Sequence, residues 1–264
     1  MKILVLGAGA TGGYFGGRLA EAAQLGKASV DVGFLVRPAR AERLAAEGLR
    51  VDSPHGGFAL PVRTVVQAAL RPDYDLVLLT CKAYDLDSAI ESIAPALRAD
   101  TLILPVLNGL AHFERLDREF GAARVLGGCC HIAGVLTREG VVRQLTDVHR
   151  ITYGLRPGNA AAGQAVLDRL HGAFGQTPVD ARLVDDIDQE IWEKFVFLAT
   201  LAGMTTLMRG SVGDIVAAPG GAALAERMLA ECESAAAAAG KPSRPKVAAS
   251  TLKTLTQPLS LIHI

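Results

Sequence analysis

The first twelve residues constrain this chain more than any other stretch. A short apolar run, Lys2-Ile-Leu-Val-Leu6, ends in Gly7-Ala8-Gly9-Ala10-Thr11-Gly12, and Thr11 to Ala23 reads as a helix. A GxGxxG set between a strand and a helix is the pattern of a phosphate-binding turn. Gly7 permits the tight turn, Gly9 lets the backbone approach a pyrophosphate, and Gly12 allows the helix to pack on the strand. The helix N-terminus then offers free N–H groups and a dipole that favours an anion. The bland alternative is a glycine-rich turn in an ordinary βα unit.

The pattern continues in the same grammar. Residues 30–36 read as a second strand and Ala39 to Glu47 as a second helix. Residues 49–63 suggest a hairpin turning at Pro54 to Gly57. Asp75 to Thr80 is a buried strand, Leu86 to Leu97 a helix, and 101–107 another strand. Such alternation predicts an α/β fold with a parallel sheet and crossover helices. Val125 to Gly134, Val141 to Val148 and Ile151 to Gly154 are expected to complete that sheet, with a helix at Ala161 to Gly172. From Asp185 onward the pattern is helical, over 186–208, 219–239 and from near Pro245. The expected organisation is a Rossmann-type dinucleotide-binding domain over 1–180 and an all-helical domain over 181–264.

Composition removes several function classes. Lys+Arg and Asp+Glu balance at 27 each, so no basic field invites nucleic acid or an anionic membrane. The longest charge-free apolar stretch, Phe195 to Met208, is shorter than the roughly 20 residues of a membrane span. No signal-peptide pattern opens the chain. Cys81, Cys129, Cys130 and Cys232 form no CxxC, and the six histidines show no zinc spacing. No metal is expected, and the absence of GxSxG speaks against acyl transfer. A reduced, cytoplasmic protein is the expectation. Apolar faces in the helical part admit a homodimer.

The second strand bears on the coenzyme. NAD-binding strands usually end in Asp or Glu for the ribose 2′-OH, whereas this one ends Val36-Arg37, followed by Pro38 and Arg40. A guanidinium there suits a 2′-phosphate, so NADPH is the expected cofactor, unless Arg37 is only a solvated charge. Asp31 stands at the wrong end of the strand. Ligands in this architecture bind at the strand ends, where Lys82 and Asn108-Gly109 lie. Each has a plain alternative: Lys82 a surface charge, Asn108 a helix cap. Lys194 falls within the apolar stripe of its helix, with Ile187, Ile191, Leu198, Leu201 and Thr205, at about 100° per residue. Asp186, Gln189 and Glu193 fall on the other side. Either the lysine stem packs while its amine snorkels to water, or the amine faces a cleft as a general acid.

Taken together and in this order, GxGxxG, Arg37, Thr80-Cys-Lys-Ala83, Asn108-Gly109 and Ile191-Trp-Glu-Lys194 make the chain resemble the ketopantoate reductase family from residue 1 to about 258. The resemblance implies NADPH-dependent reduction of a small 2-oxo acid, in pantoate synthesis for pantothenate and coenzyme A. Lys194 matches the family's catalytic lysine; Lys82 and Asn108 match positions near the nicotinamide and substrate. A cleft between the two domains is expected to exclude water. Two features depart from the family. Its ketopantoate enzymes carry asparagines on the helix after that lysine, where this chain reads Phe195-Val-Phe-Leu-Ala-Thr-Leu-Ala202. That favours a less polar 2-oxo acid. The final Leu259-Ser-Leu-Ile-His-Ile264 does not match the family pattern, so the helical domain is expected to be incomplete, by truncation or by a foreign tail. A non-catalytic NADP(H)-binding homologue is the competing class.

Overall fold

The computed structural model describes residues 1–159 and 161–258. Residues 259–264, on which the expected truncation or foreign tail falls, lie outside the described residues. The chain divides into two compact units, Met1–Ile187 and Asp188–Ile264.

The first unit begins with β1 (Lys2–Leu6), α1 (Ala10–Gln24), β2 (Asp31–Leu35) and α2 (Pro38–Glu47). The pair β3 (Leu49–Asp52) and β4 (Phe58–Leu60) follows, then β5 (Arg63–Val65), β6 (Leu76–Leu79), α3 (Leu86–Ile93), β7 (Leu102–Pro105) and α4 (Ala111–Phe120). The unit closes with β8 (Gly127–Leu136), β9 (Val141–Gly154), α5 (Ala162–Phe174) and β10 (Asp180–Leu183). A parallel sheet in the order β5-β2-β1-β6-β7 carries the site. Its inner strands read as apolar runs because both faces are covered: Ile3, Leu4 and Val5 in β1 and Leu76 to Leu79 in β6 are buried. The chain winds one way from β1 to β2 and the other way to β6, so a crevice opens at the strand ends between them.

Three expectations need correction. Residues 127–154 do not complete the parallel sheet. They form the hairpin β8–β9 of a second sheet, ordered β10-β9-β3-β4, with β8 antiparallel on β9. The 49–63 hairpin holds for β3 and β4, but β5 leaves it and pairs in parallel with β2. The helix from Leu86 stops at Ile93 and tightens into a 3-10 turn at Ala94–Ala96, since Pro95 lacks the N–H that the helix would need. The strand β10, parallel to β9, also explains why the first unit runs past residue 180.

The second unit contains α6 (Ile187–Met208) from its second residue on, then α7 (Val212–Ala217), α8 (Gly221–Ala238) and α9 (Pro245–Leu255). Val196, Leu201, Val212, Leu229, Ala236 and Leu255 form a core within it. A capping box starts α7: Asp214 N donates to Ser211 Oγ (3.2 Å) and Ser211 N to Asp214 Oδ2 (2.8 Å). By length and hydropathy α6 could cross a membrane; 44% of that window is buried inside the fold, and one such helix does not by itself establish a span.

A polar cluster that the sequence did not reveal links α1 to the second sheet. Tyr14 Oη lies 2.7 Å from His149 Nδ1, and the His149 ring stacks on His55 at 3.7 Å. The buried Arg18 donates to the Gly56 carbonyl at 2.6 Å. Burial, then the neighbouring His55 and Arg18 charges, holds His149 below the usual histidine range, with Asp180 opposing. The unfolded chain therefore takes up a proton below about pH 6.5 while the fold resists it, and stability falls as pH drops through that value. Urea midpoints between about pH 8 and 5 should fall less in His149→Phe than in the wild type. Equal slopes would assign the effect to another group.

Candidate functional site

The turn from β1 into α1 is built by close approach. Gly7 adopts φ +91°, a region open to glycine. A Cβ at Gly12 would collide with the Gly7 carbonyl and the Thr80 hydroxyl, and would stand 3.1 Å from Val5 Cγ1. At Gly9 the corresponding direction is open space. Gly9 caps α1 with no side-chain hydrogen bond, and the first turn holds no acid. The N-terminal N–H groups of α1 thus have neither a capping side chain at Gly9 nor an acid in the first turn to satisfy them. Thr80 Oγ1 donates to the Leu6 carbonyl at 2.6 Å and ties the ends of β1 and β6 together.

A cleft of about 680 Å³ opens there, within the first unit. Gly7, Ala8, Gly9, Ala10 and Thr11 line it from one side, and Cys81, Lys82 and Ser88 from another. Its β2 end is basic, with Arg37 and Arg40 in the lining. Arg37 is exposed at the start of α2. Arg40 is half-buried and donates from Nη2 to the carbonyls of Ala8 (3.1 Å) and Gly140 (3.3 Å). Its Nε is buried without a hydrogen-bond partner among the described residues. Burial, followed by the Arg43 charge, lowers the Arg40 pKa. Asp31, the acid of β2, sits at the opposite end and pairs with Arg63 at 3.2 Å.

Of the residues singled out by sequence, Gly7, Ala8, Gly9, Ala10, Thr11, Arg37 and Lys82 therefore share one cleft. Gly12 stands behind the loop as its packing contact. Lys82 is exposed at the end of β6. Asn108 is exposed after β7, followed by Gly109 at φ +90°, and lies outside the lining of this cleft. Lys194 belongs to the second unit, where it is buried on α6. Glu193, expected on the polar side, is buried too, because Arg244 covers it: Arg244 Nε donates to Glu193 Oε1 at 2.8 Å. Nothing local in the sequence announces a partner 51 residues away.

The cysteines carry no activated thiol in this site. Cys129 and Cys130 are buried in β8. Burial pushes the Cys81 thiol up to about 11. At neutral pH its thiolate, the reactive form, is scarce. Alkylation of Cys81 by iodoacetamide, read by peptide mass spectrometry, should be slow at pH 7.5 and accelerate through pH 10 to 11. Fast reaction at neutral pH would contradict the burial argument.

Comparison with known proteins agrees with this geometry. Ketopantoate reductase PanE/ApbA matches residues 3–158, and the C-terminal part of the same family matches residues 186–259. The uncharacterized oxidoreductase YkpB of Bacillus subtilis is 33% identical over 256 residues, covering 97% of this chain and 81% of that protein. A 2-dehydropantoate 2-reductase from Nostoc is 26% identical over 244 residues, covering 91% and 74%. The crystal structure of 2-dehydropantoate 2-reductase from Geobacter metallireducens superposes with a TM-score of 0.86 at 28% identity, covering 100% of this chain and 85% of that one.

Proposed function

The chain belongs to the ketopantoate reductase family and is an oxidoreductase of that kind, and from that premise we propose that it catalyses NADPH-dependent reduction of 2-dehydropantoate (ketopantoate) to pantoate, for pantothenate and coenzyme A. The family supports a nicotinamide dinucleotide and a small keto-acid substrate. The choice of NADPH rests on the basic end of the cleft: Arg37 and Arg40 stand at the end of β2, and its acid, Asp31, is held by Arg63 at the far end.

The residues fit such a group. The uncapped N-terminus of α1 and the open space at Gly9 suit a pyrophosphate. The buried, unpartnered Nε of Arg40 and the exposed guanidinium of Arg37 suit a 2′-phosphate. The reduced nicotinamide would supply the hydride for the ketone carbon. Lys82 and Asn108 orient the reacting groups, and Lys194 donates a proton to the carbonyl oxygen and stabilises the charge growing there.

A second reading concerns the substrate. The helix beyond Lys194 offers no amide: Leu198 and Ala202 are half-buried, and the Thr200 hydroxyl is spent on the Val196 carbonyl at 2.9 Å. Such a wall favours a less polar 2-oxo acid, because an unmatched substrate hydroxyl would go unpaired.

NADPH oxidation followed by absorbance, with ketopantoate and a panel of 2-oxo acids, tests both readings. Turnover of ketopantoate supports the first; turnover of apolar acids alone supports the second. Silence across the panel with NADPH still bound would favour a non-catalytic dinucleotide-binding protein. In the active enzyme, Lys194→Ala should lower kcat by about 10²- to 10⁴-fold and leave coenzyme affinity unchanged. Arg37→Ala should raise the KM for NADPH by about tenfold and leave that for NADH alone, as expected for an exposed charge on a phosphate. Equal effects on the two coenzymes would remove Arg37 from the 2′-phosphate site.

A further inference from the structure

Beside the buried Lys194, α6 carries a buried charge of opposite sign. Glu193 is 5% exposed. It accepts hydrogen bonds from the Arg244 backbone N at 2.8 Å, from Arg244 Nε at 2.8 Å, from Arg244 Nη2, and from Gln189 Nε2 at 3.2 Å. Gln189 Nε2 also donates to the Pro242 carbonyl at 2.9 Å, and Arg244 Nη2 to Glu190 Oε1 at 2.5 Å. Positions 189, 190 and 193 lie on one side of α6. Their partners lie in the three residues before α9, whose N-cap is Arg244. One side of α6 is thus strapped to the α8–α9 connection.

Burial pushes Glu193 up, but the Arg244 donors and Gln189 outweigh it and keep the carboxyl below the usual range. A desolvated carboxylate with a guanidinium partner is a poor source of stability, since an apolar pair of similar volume often does as well. What the strap supplies instead is a fixed geometry. Adjacent residues on a helix stand about 100° apart. Holding Glu193 therefore holds the rotation of α6 at Lys194.

We propose that Glu193 and Arg244 are positioning residues, whose fork fixes the rotation of α6 and so the aim of the Lys194 amine. The proposal rests on the reading of Lys194 as proton donor. A misplacement of about 1 Å in a reacting group can cost about 10²-fold in rate. Losing Arg244 leaves Glu193 buried without its guanidinium; losing the Glu193 charge loosens the strap, leaving the Gln189–Pro242 and Arg244–Glu190 contacts.

The test is a double-mutant cycle. Glu193→Gln keeps the shape and gives up the charge. Turnover is measured per coenzyme-binding site, titrated by coenzyme fluorescence, so that a smaller folded fraction does not count as slower chemistry. Glu193→Gln should lower kcat per site by about 10- to 100-fold with coenzyme affinity unchanged. In a Lys194→Ala background the same change should alter residual turnover by less than about twofold. Equal losses in both backgrounds, or an undiminished kcat per site, would overturn the positioning role. If Lys194→Ala itself leaves turnover intact, the proton-donor reading is what fails. A readout free of turnover then decides the geometry: Lys194 labelling by an amine-reactive reagent, mapped by peptide mass spectrometry. It should be several-fold faster in Glu193→Gln, with the exposed Lys253 unchanged; equal Lys194 rates would sink the proposal.

Discussion

Helix α1 touches two sheets through glycine. On one side, Gly12 and Gly16 approach β1 and β2: a Cβ at Gly16 would stand 2.8 Å from Val5 Cγ2 and 3.0 Å from Phe34. On the adjoining side, Gly13 and Gly17 approach the second sheet, where a Cβ would meet Val142 of β9 at 2.7 Å and Leu49 of β3 at 3.0 Å. The two i, i+4 pairs place backbone against both layers, and Tyr14, Phe15 and Leu19 fill the remaining space as fully buried side chains. A Cβ at Gly12 would overlap the Gly7 carbonyl, and at Gly13, Gly16 and Gly17 the facing side chains would have to shift to admit one. The start of α1 is consequently fixed with respect to β1, β2 and β6, and the site at its N-terminus inherits that rigidity.

That constraint explains what the sequence could disclose. Gly7, Gly9 and Gly12 act within a few residues of one another, so their spacing carries the message. The strands β1, β2, β6 and β7 are buried on both faces and announce themselves as apolar runs. Sheet membership is another matter. The strands β8 and β9 alternate enough to look like strands anywhere, and nothing in 127–154 says that β9 pairs with β3 rather than with β7. Likewise β5 is three residues long, and its place beside β2 is set by long-range pairing alone. Local patterns specify elements; partner choice depends on residues a hundred positions away.

The site shows the same division. The apolar stripe of α6 reveals that Lys194 is buried, because periodicity is a local property. Glu193 looks solvated by the same reasoning, and only the Arg244 strap reverses it. The Tyr14–His149–His55 cluster and the buried Arg18 escape for this reason too: each joins α1 to residues at 55, 56 or 149. A buried charge or imidazole is legible when its helix face betrays it and illegible when its partner decides its burial.

Charge and shape at the β2 end of the cleft are divided between two arginines. Arg37 is exposed, so its field is screened by salt and its contribution is mainly charge. Arg40 is held by the Ala8 and Gly140 carbonyls, so its guanidinium is already oriented before any anion arrives, and it loses less rotamer freedom on binding one. The Ala8 contact also makes Arg40 part of the glycine-rich loop itself. A change at Arg40 would disturb the pyrophosphate turn, which any dinucleotide uses, as well as the basic end. Arg37 touches no part of that loop through a hydrogen bond among those described. In the proposed reading Arg40 therefore acts on both coenzymes through the loop as well as on the 2′-phosphate, whereas Arg37 acts on the 2′-phosphate alone, by a charge effect that weakens with ionic strength.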